Sequence, residues 1–474
     1  MSFNSLTFLV FFTAVYALYR LPINWDLRKG VLIAAGWVFY GWFDLGYLAL
    51  LTMSTAVDYL CGLRLGRETD PGRRRLILAA SVGINLMVLG VFKYLNFFLE
   101  SFTSLLSWFG ADGDPFRLGI LLPVGMSFYT FQKMGYVIDV YRRDLPPVDS
   151  FRDFTLFVGF FPTLLAGPIM RAGDFLPQLR EPRTVDGPAF RTALSWIVTG
   201  YFFKVGVADN LAHSVHLVFD VQSRLLPSEA WLGAYYFSAQ IFCDFAGYTL
   251  LARGFAKLLG FDVPENFRAP YLACGFSDFW RRWHITLSRW LRDYLYIPLG
   301  GNRGDELRTY RNIMVTMLLG GLWHGASWTF VLWGGVHGAL LVAERKLKTF
   351  SGVKTFIDGE GLMVRLTVIF VVFNCVALAW VLFRAGNTDV ALKMFSAMFN
   401  PWELFTDQMP SKRIIKDAIW MVPVISYFTW AFIRERRPQP IGVPVPVTML
   451  GLAVLAFITV VCREATDAFL YFQY

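Results

Sequence analysis

The amino-acid sequence predicts an all-α fold, a polytopic helical bundle embedded in a membrane, and three observations carry that prediction. Hydrophobic residues make up 55% of the 474-residue chain and charged residues only 17%, far from the balance of a soluble globular domain. Apolar runs of about 17 to 25 residues, the length that crosses a bilayer, recur throughout, with charges collected between them. Those runs are continuous and do not alternate, which excludes a strand barrel, because lipid leaves only helices and closed barrels able to satisfy their own backbone.

Taken in order, the first run, Ser5 to Leu21, lacks the basic start of a signal peptide and ends in Tyr-Arg-Leu-Pro in place of small residues, so it reads as retained. The clearest runs after it are Leu76 to Leu99, Phe154 to Met170, Ala230 to Leu259, Ile313 to Val342, Leu362 to Phe383, Ile414 to Phe432 and Val443 to Val461. About eleven segments are expected by the length criterion, some of them broken or re-entrant. The longest polar connections, Gly110 to Arg117, Gln178 to Arg191 and Asn400 to Lys416, carry loop punctuation. With no repeat and no long polar region, residues 1–474 read as one membrane domain.

The net charge of +9 sits in clusters beside apolar spans: Arg73 to Arg75, Arg142-Arg143, Arg345 to Lys348 and Arg434 to Arg437. Such clusters mark cytoplasmic loops and lipid headgroup contact, not nucleic-acid binding. The five cysteines, Cys61, Cys243, Cys274, Cys375 and Cys462, show no paired spacing, so neither a disulfide framework nor a metal site is indicated.

One stretch fits neither a span nor a solvent loop. Pro264 to Gly304, "PENFRAPYLACGFSDFWRRWHITLSRWLRDYLYIPLGGNRG", is too charged for lipid and too aromatic for water. Read as one helix, Ser277 to Leu295 places Trp280, Trp283, Leu287, Trp290, Leu291 and Tyr294 on one face, with Asp278, Arg282, Arg289 and Asp293 opposite. That is an amphipathic helix at a membrane surface, and His284 falls on the edge of its apolar face.

Histidines are the candidates for chemistry. His213 and His216 are three apart, but no carboxylate or cysteine pattern completes a metal site. His324, in "GGLWHGASWTF", is an ionisable group inside a strongly apolar run, expensive unless it is paired or lines a cavity. Gly321 and Gly325 flank it and would admit a neighbouring helix or an extended substrate. His337 lies thirteen residues on, nearly the opposite side of an unbroken helix, and reads as a packing residue. A neutral imidazole can take a proton from a hydroxyl as it attacks a carbonyl. No serine elbow, phosphate loop or dinucleotide motif suggests other chemistry. Acyl transfer is the reaction these residues allow without requiring it.

These residues sit in stretches that resemble the bacterial branch of the membrane-bound O-acyltransferases: "LLPVGMSFYTFQ", "GYVIDVYR", "FFPTLLAGPIMR", "ENFRAPY", "DFWRRWHITLSRWLRDYLYIPLGGNRG", "TMLLGGLWHGASWTF" and the closing "FLYFQY". The likeness runs through almost the whole chain in order, with a family core at about residues 118–345. It implies that His324 is the catalytic histidine and His284 the family's second one. It also implies a bundle enclosing a tunnel, with a cytoplasmic thioester, acetyl-CoA, as donor, no tightly bound cofactor, and a bacterial inner-membrane location. The product is then an O-acetylated exported polysaccharide, alginate-like or another exopolysaccharide such as cellulose, made with a periplasmic acetyltransferase and a polysaccharide synthesis complex. Peptidoglycan acetylation and D-alanyl transfer are the alternatives within the family.

On that reading Arg281, Arg282, Arg289 and Arg292 would attract the donor's phosphates or, equally, lipid headgroups. In "FCDFAGYTLLARG" the family pattern is altered: Ala246 replaces a serine and Leu250 an aspartate, while Asp244 and Tyr248 remain as candidate substrate contacts. The rival from another class is a transporter in which His324 binds substrate or relays protons. No two-half symmetry supports it.

Overall fold

In the computed structural model, the described residues are all except 111–118, 120–121, 221–224, 358, 360, 401, 403–409, 437–444, 462–469 and 471–474. The Gly110 to Arg117 connection beyond its first residue, Arg437, and the closing "FLYFQY" apart from Leu470 therefore lie outside the described residues. Among the described residues regular structure is helical and no strand occurs. Three helices among the described residues are long and apolar enough to cross a membrane: Leu45–Arg67, Pro71–Trp108 and Leu362–Arg384.

The chain divides into two compact units. The first comprises Met1–Leu194 and Leu251–Pro264. Its helices start where the sequence supplies caps. Ser5, Asn24, Asp44 and Asp70 each accept a bond from a backbone N–H three residues on, opening Leu6–Arg20, Trp25–Gly41, Leu45–Arg67 and Pro71–Leu89. The last of these runs through a π-helical turn, Gly90–Tyr94, into Leu95–Trp108. Met126–Arg142 packs against Leu45–Arg67 and Pro71–Leu89. Between these three helices Lys133 is fully buried, 3.4 Å from Asp58. Asp58 also accepts from Ser81 at 2.6 Å and from Asn85 at 2.9 Å.

The second unit comprises Ser195–Leu250 and Glu265–Tyr474. Its core is aromatic: Trp283, Trp333, Trp380 and Phe383 are completely buried and in ring contact with one another.

Three expected elements differ from the sequence reading. Phe154 to Met170 is not one span. The helix Phe151–Val158 ends at Gly159, Phe161–Leu164 forms a single turn on Pro162, and the chain then continues without regular structure to Arg171. Ile313 to Val342 is a helical hairpin of Glu306–His324 and Trp328–Leu347. Its arms touch through glycine, since a Cβ at Gly321 would lie 2.3 Å from the Phe330 carbonyl oxygen. Ser277 to Leu295 is broken into Phe276–Arg282 and Ile285–Leu291 by an extended Trp283 and a left-handed His284. In each case the run's apolarity was read correctly and its continuity was not, because hydropathy does not register where the backbone reverses.

Candidate active site

The break at His284 builds the site. At φ 41° and ψ 55° His284 occupies the left-handed region, which costs a non-glycine residue about 1–3 kcal/mol and persists only where its surroundings hold it. Here two backbone bonds tie the turn to the segment before it: Arg268 N–H donates to Arg282 O at 3.0 Å, and Ile285 N–H donates to Asn266 O at 2.9 Å. The Asn266 side chain completes the clamp. Its Oδ1 accepts from Thr286 N–H at 3.2 Å and from the Thr286 hydroxyl at 2.9 Å, and lies 3.1 Å from His284 Nδ1.

Those contacts fix a tautomer. The Thr286 backbone N–H can only donate, so the Asn266 atom that meets it is the carbonyl oxygen, and the same oxygen forces Nδ1 of His284 to carry its proton. The lone pair is then on Nε2. His284 is fully buried, and burial pushes its pKa down to about 3. It stays neutral at physiological pH. Asn266 lies in "ENFRAPY", yet nothing in spacing or composition marks it as a site residue.

His324 approaches from the hairpin. It is the last residue of Glu306–His324. The chain turns at once through Gly325, where a Cβ would stand 2.1 Å from the Phe330 ring, and Ser327 caps the next helix by accepting from Thr329 N–H at 3.3 Å. The flanking glycines therefore admit the hairpin's own second arm, and of the two occupants the sequence allowed, the helix is the one found.

His324 is 3% exposed. Its ring lies 4.9 Å from Trp323, 5.0 Å from Trp333, 5.3 Å from Phe383 and 6.5 Å from His284, centroid to centroid. The two histidines thus share an aromatic, water-poor enclosure, where a dipole or developing charge acts more strongly than in solvent. His337 does not sit on the far side, as an unbroken helix would put it. It lies one helical turn after Trp333 on the second arm, 4.7 Å ring to ring, and stacks on Phe279 at 5.8 Å with 10° between the planes, while Trp333 in turn meets His324.

A cavity of about 450 Å³ opens beside this enclosure. Trp280, Leu291 and Met317 form its apolar wall, while Arg292, Arg345 and Lys348 bring positive charge to the other, with Lys348 2.9 Å from Glu344, which also lines the cavity, and Arg292 2.7 Å from Asp293. Trp280 is 5.8 Å from Trp333, itself in contact with His324, so the cavity wall is linked to the imidazole through ring contacts. Of the four arginines singled out in the sequence, only Arg292 lines it. Arg282 is tied to Asp278 at 2.9 Å and Glu435 at 2.5 Å, Arg281 lies 3.5 Å from Asp278, and Arg289 is exposed. Arg345 and Lys348 were legible as a basic cluster, but not as cavity walls.

Asp244 and Tyr248 are buried on the Pro227–Leu258 helix. Asp244 is 2.6 Å from Lys204 Nζ and accepts from Leu470 N–H at 3.0 Å. The next residue, Phe245, sets its ring edge-on to His284 at 4.7 Å. Asp244 thus braces the helix that carries one wall of the histidine enclosure.

Comparison with known proteins agrees with this architecture. The model of the membrane-bound O-acyltransferase family matches residues 145–383, a range that holds both histidines and Asn266. The chain is 38% identical to a probable alginate O-acetylase of Pseudomonas putida over the full length of both proteins. It is 43% identical to a probable alginate O-acetylase of Azotobacter vinelandii over 94% of this chain and 87% of that one. It is 36% identical to a peptidoglycan O-acetyltransferase of Helicobacter pylori over 77% of this chain and 73% of that one. With full-length relatives of this kind and a paired-histidine enclosure inside an all-helical, multi-pass membrane chain, the protein belongs to the membrane-bound O-acyltransferase family and is an O-acyltransferase.

Proposed function

We propose that the chain, acting as a single domain of the bacterial inner membrane, moves an acetyl group from a cytoplasmic thioester, acetyl-CoA, toward the O-acetylation of an exported polysaccharide of alginate type. The observation that carries the chemistry is the pair of buried imidazoles 6.5 Å apart, one with its Nε2 lone pair fixed by Asn266. The polymer class rests on the two alginate O-acetylase relatives, which match 94% or more of the chain. The peptidoglycan relative matches 77% and fits less fully.

In this reading His324 is the general base. As the acceptor hydroxyl oxygen attacks the thioester carbonyl carbon, the His324 imidazole takes the hydroxyl proton. The carbon–sulfur bond then breaks, and the proton passes to the departing thiolate, so the imidazole returns neutral and no net proton is consumed. His284 offers Nε2 as a hydrogen-bond acceptor that orients the hydroxyl. The aromatic walls exclude water, which would otherwise hydrolyse the thioester.

Arg292, Arg345 and Lys348 suit the phosphates of the donor, and the apolar wall at Trp280 suits the pantetheine arm pointing toward His324. Arg281, Arg282 and Arg289 then serve lipid headgroups and local ion pairs. The acetyl group's onward partners are a periplasmic acetyltransferase and the polysaccharide synthesis complex.

The test is transfer of labelled acetyl groups from acetyl-CoA in membranes containing the parent or His324→Ala. Loss of transfer with export of polymer intact supports the reading. Full polymer acetylation by the variant, or failure of export in place of acetylation, would overturn it and favour a transporter.

A further inference from the structure

A second cavity, of about 520 Å³, lies in the same unit and plays no part in acyl transfer as described. It is a groove between the helices Leu362–Arg384 and Met421–Glu435. Leu366, Phe370 and Phe373 line one side at helical spacing, and Ile425, Phe428 and Phe432 line the other. From Phe432 to Met421, which closes the far end, is eleven residues, or about 16 Å along the helix. One leaflet of a bilayer's hydrocarbon core is about 15 Å deep. The groove is therefore one leaflet long.

Its two ends differ in kind. At the Phe432 end the guanidinium of Arg365 lies 5.5 Å and that of Arg436 5.4 Å from the Phe432 ring. Arg365 is 3.0 Å from Glu435, which also pairs with Arg282, itself shared with Asp278. With Arg281 also 3.5 Å from Asp278, four guanidiniums stand against two carboxylates, so positive charge is in excess. The Nε of Arg365 is enclosed with no acceptor among the described residues. The described residues that line the far end, around Tyr235 and Met421, carry no formal charge themselves. Arg436 belongs to one of the basic clusters that mark the cytoplasmic side.

We propose that this groove is a dedicated phospholipid site: one acyl chain of a cytoplasmic-leaflet phospholipid fills it, and the lipid phosphate is held by Arg365 and Arg436. An apolar slot of leaflet length with surplus cationic donors at its headgroup end matches that molecule. A neutral detergent would satisfy the slot alone, a fatty-acid carboxylate offers two oxygens to the guanidiniums where a phosphodiester joins a second chain to the same headgroup, and a helix from a second copy would leave the guanidiniums unused. Tyr271 is also in the wall, and its ring stacks on Trp283 at 6.2 Å, one residue before His284. The seated chain is thus part of the packing behind the histidine turn.

Native mass spectrometry of the purified full-length protein reads the occupant directly, after delipidation and exposure to mixed vesicles of phosphatidylglycerol and phosphatidylethanolamine containing free oleate. The expected result is one phospholipid retained per chain, with retention reduced at least tenfold by Thr429→Trp, which fills the groove from its wall. The double substitution Arg365→Gln and Arg436→Gln should reduce phospholipid at least tenfold, and it keeps the proposal testable if Thr429→Trp fails to fold. Retention of oleate or detergent alone by the parent, or parent-like phospholipid retention by either variant, overturns the proposal. Because the readout is bound mass, its failure is separate from any failure of the acyl-transfer reading.

Discussion

Lys133 and His324 are both ionisable side chains on largely apolar helices, and both are buried, yet their surroundings differ in kind. Lys133, in the first unit, faces a carboxylate at 3.4 Å, and that carboxylate is further satisfied by Ser81 and Asn85. Its ammonium also stands 5.2 Å from the Tyr129 ring. His324, in the second, is surrounded by the rings of Trp323, Trp333, Phe383 and a second imidazole. The first arrangement consumes its charge in holding three helices together. The second keeps a proton acceptor poised in a medium that magnifies any change of charge. Depth in an apolar helix thus marks a residue as costly, and only its neighbours say whether it does chemistry.

The sharpest way to break this contrast is to remove each group in turn. His324→Ala should lower acetyl transfer on the order of 10²–10⁴-fold, the usual contribution of a positioned general base, while the melting temperature of the purified protein stays near the parent's. Lys133→Ala should do the reverse. It strands the Asp58 carboxylate, and breaking a buried pair costs about 3–5 kcal/mol, read as a large drop in thermal stability. The double substitution Lys133→Met and Asp58→Leu should recover most of that loss. If Lys133→Ala stayed stable but lost transfer selectively, the two regions would not differ as described.

Next in size is the clamp on His284. His284→Ala should cost a large part of the activity without loss of folded protein, and near-normal turnover would make it a packing residue. Asn266→Ala should lower turnover by about 10–100-fold, the scale seen when a partner that orients a functional histidine is removed. Asn266→Asp keeps the acceptor and adds a negative charge, which favours the imidazolium. With the His284 pKa raised from about 3, protonation would remove the Nε2 lone pair as pH falls, so this variant should gain an acid limb within about pH 5–8. A pH–rate profile identical to the parent's would mean that Asn266 acts only on the backbone turn.

The smallest effects belong to the donor cavity. Arg345→Gln should raise KM for acetyl-CoA several-fold with little change in kcat, since a phosphate contact contributes to binding before and during reaction alike. Arg281→Gln, whose side chain is exposed and pairs with Asp278, should leave KM unchanged. Equal effects from the two would show that the basic surface attracts the donor as a whole, without a discrete site.

Composition and run length were enough to give the all-helical membrane class, because lipid permits few ways to satisfy a backbone. The cost of an ionisable group in an apolar run was enough to single out His324. The family motifs pointed to His284. Periodicity misjudged continuity in three places, at Gly159, at Trp283–His284 and at Gly325–Ser327, since an apolar residue in a reversing turn is as apolar as one in a helix. Only the tertiary structure closed the hairpin, stacked His337 on Phe279, and put His284 within 6.5 Å of His324 across forty residues of chain. It alone assigned Asn266 a role, because a tautomer depends on which atom faces which nitrogen. It also sorted the arginines, placing Arg292 with Arg345 and Lys348 on one wall and giving Arg282 to Glu435. Sequence thus determined what each segment could dissolve in, a property of residues taken in order. Structure decided which side chains meet, because contact and hydrogen-bond direction are set by where the backbone turns.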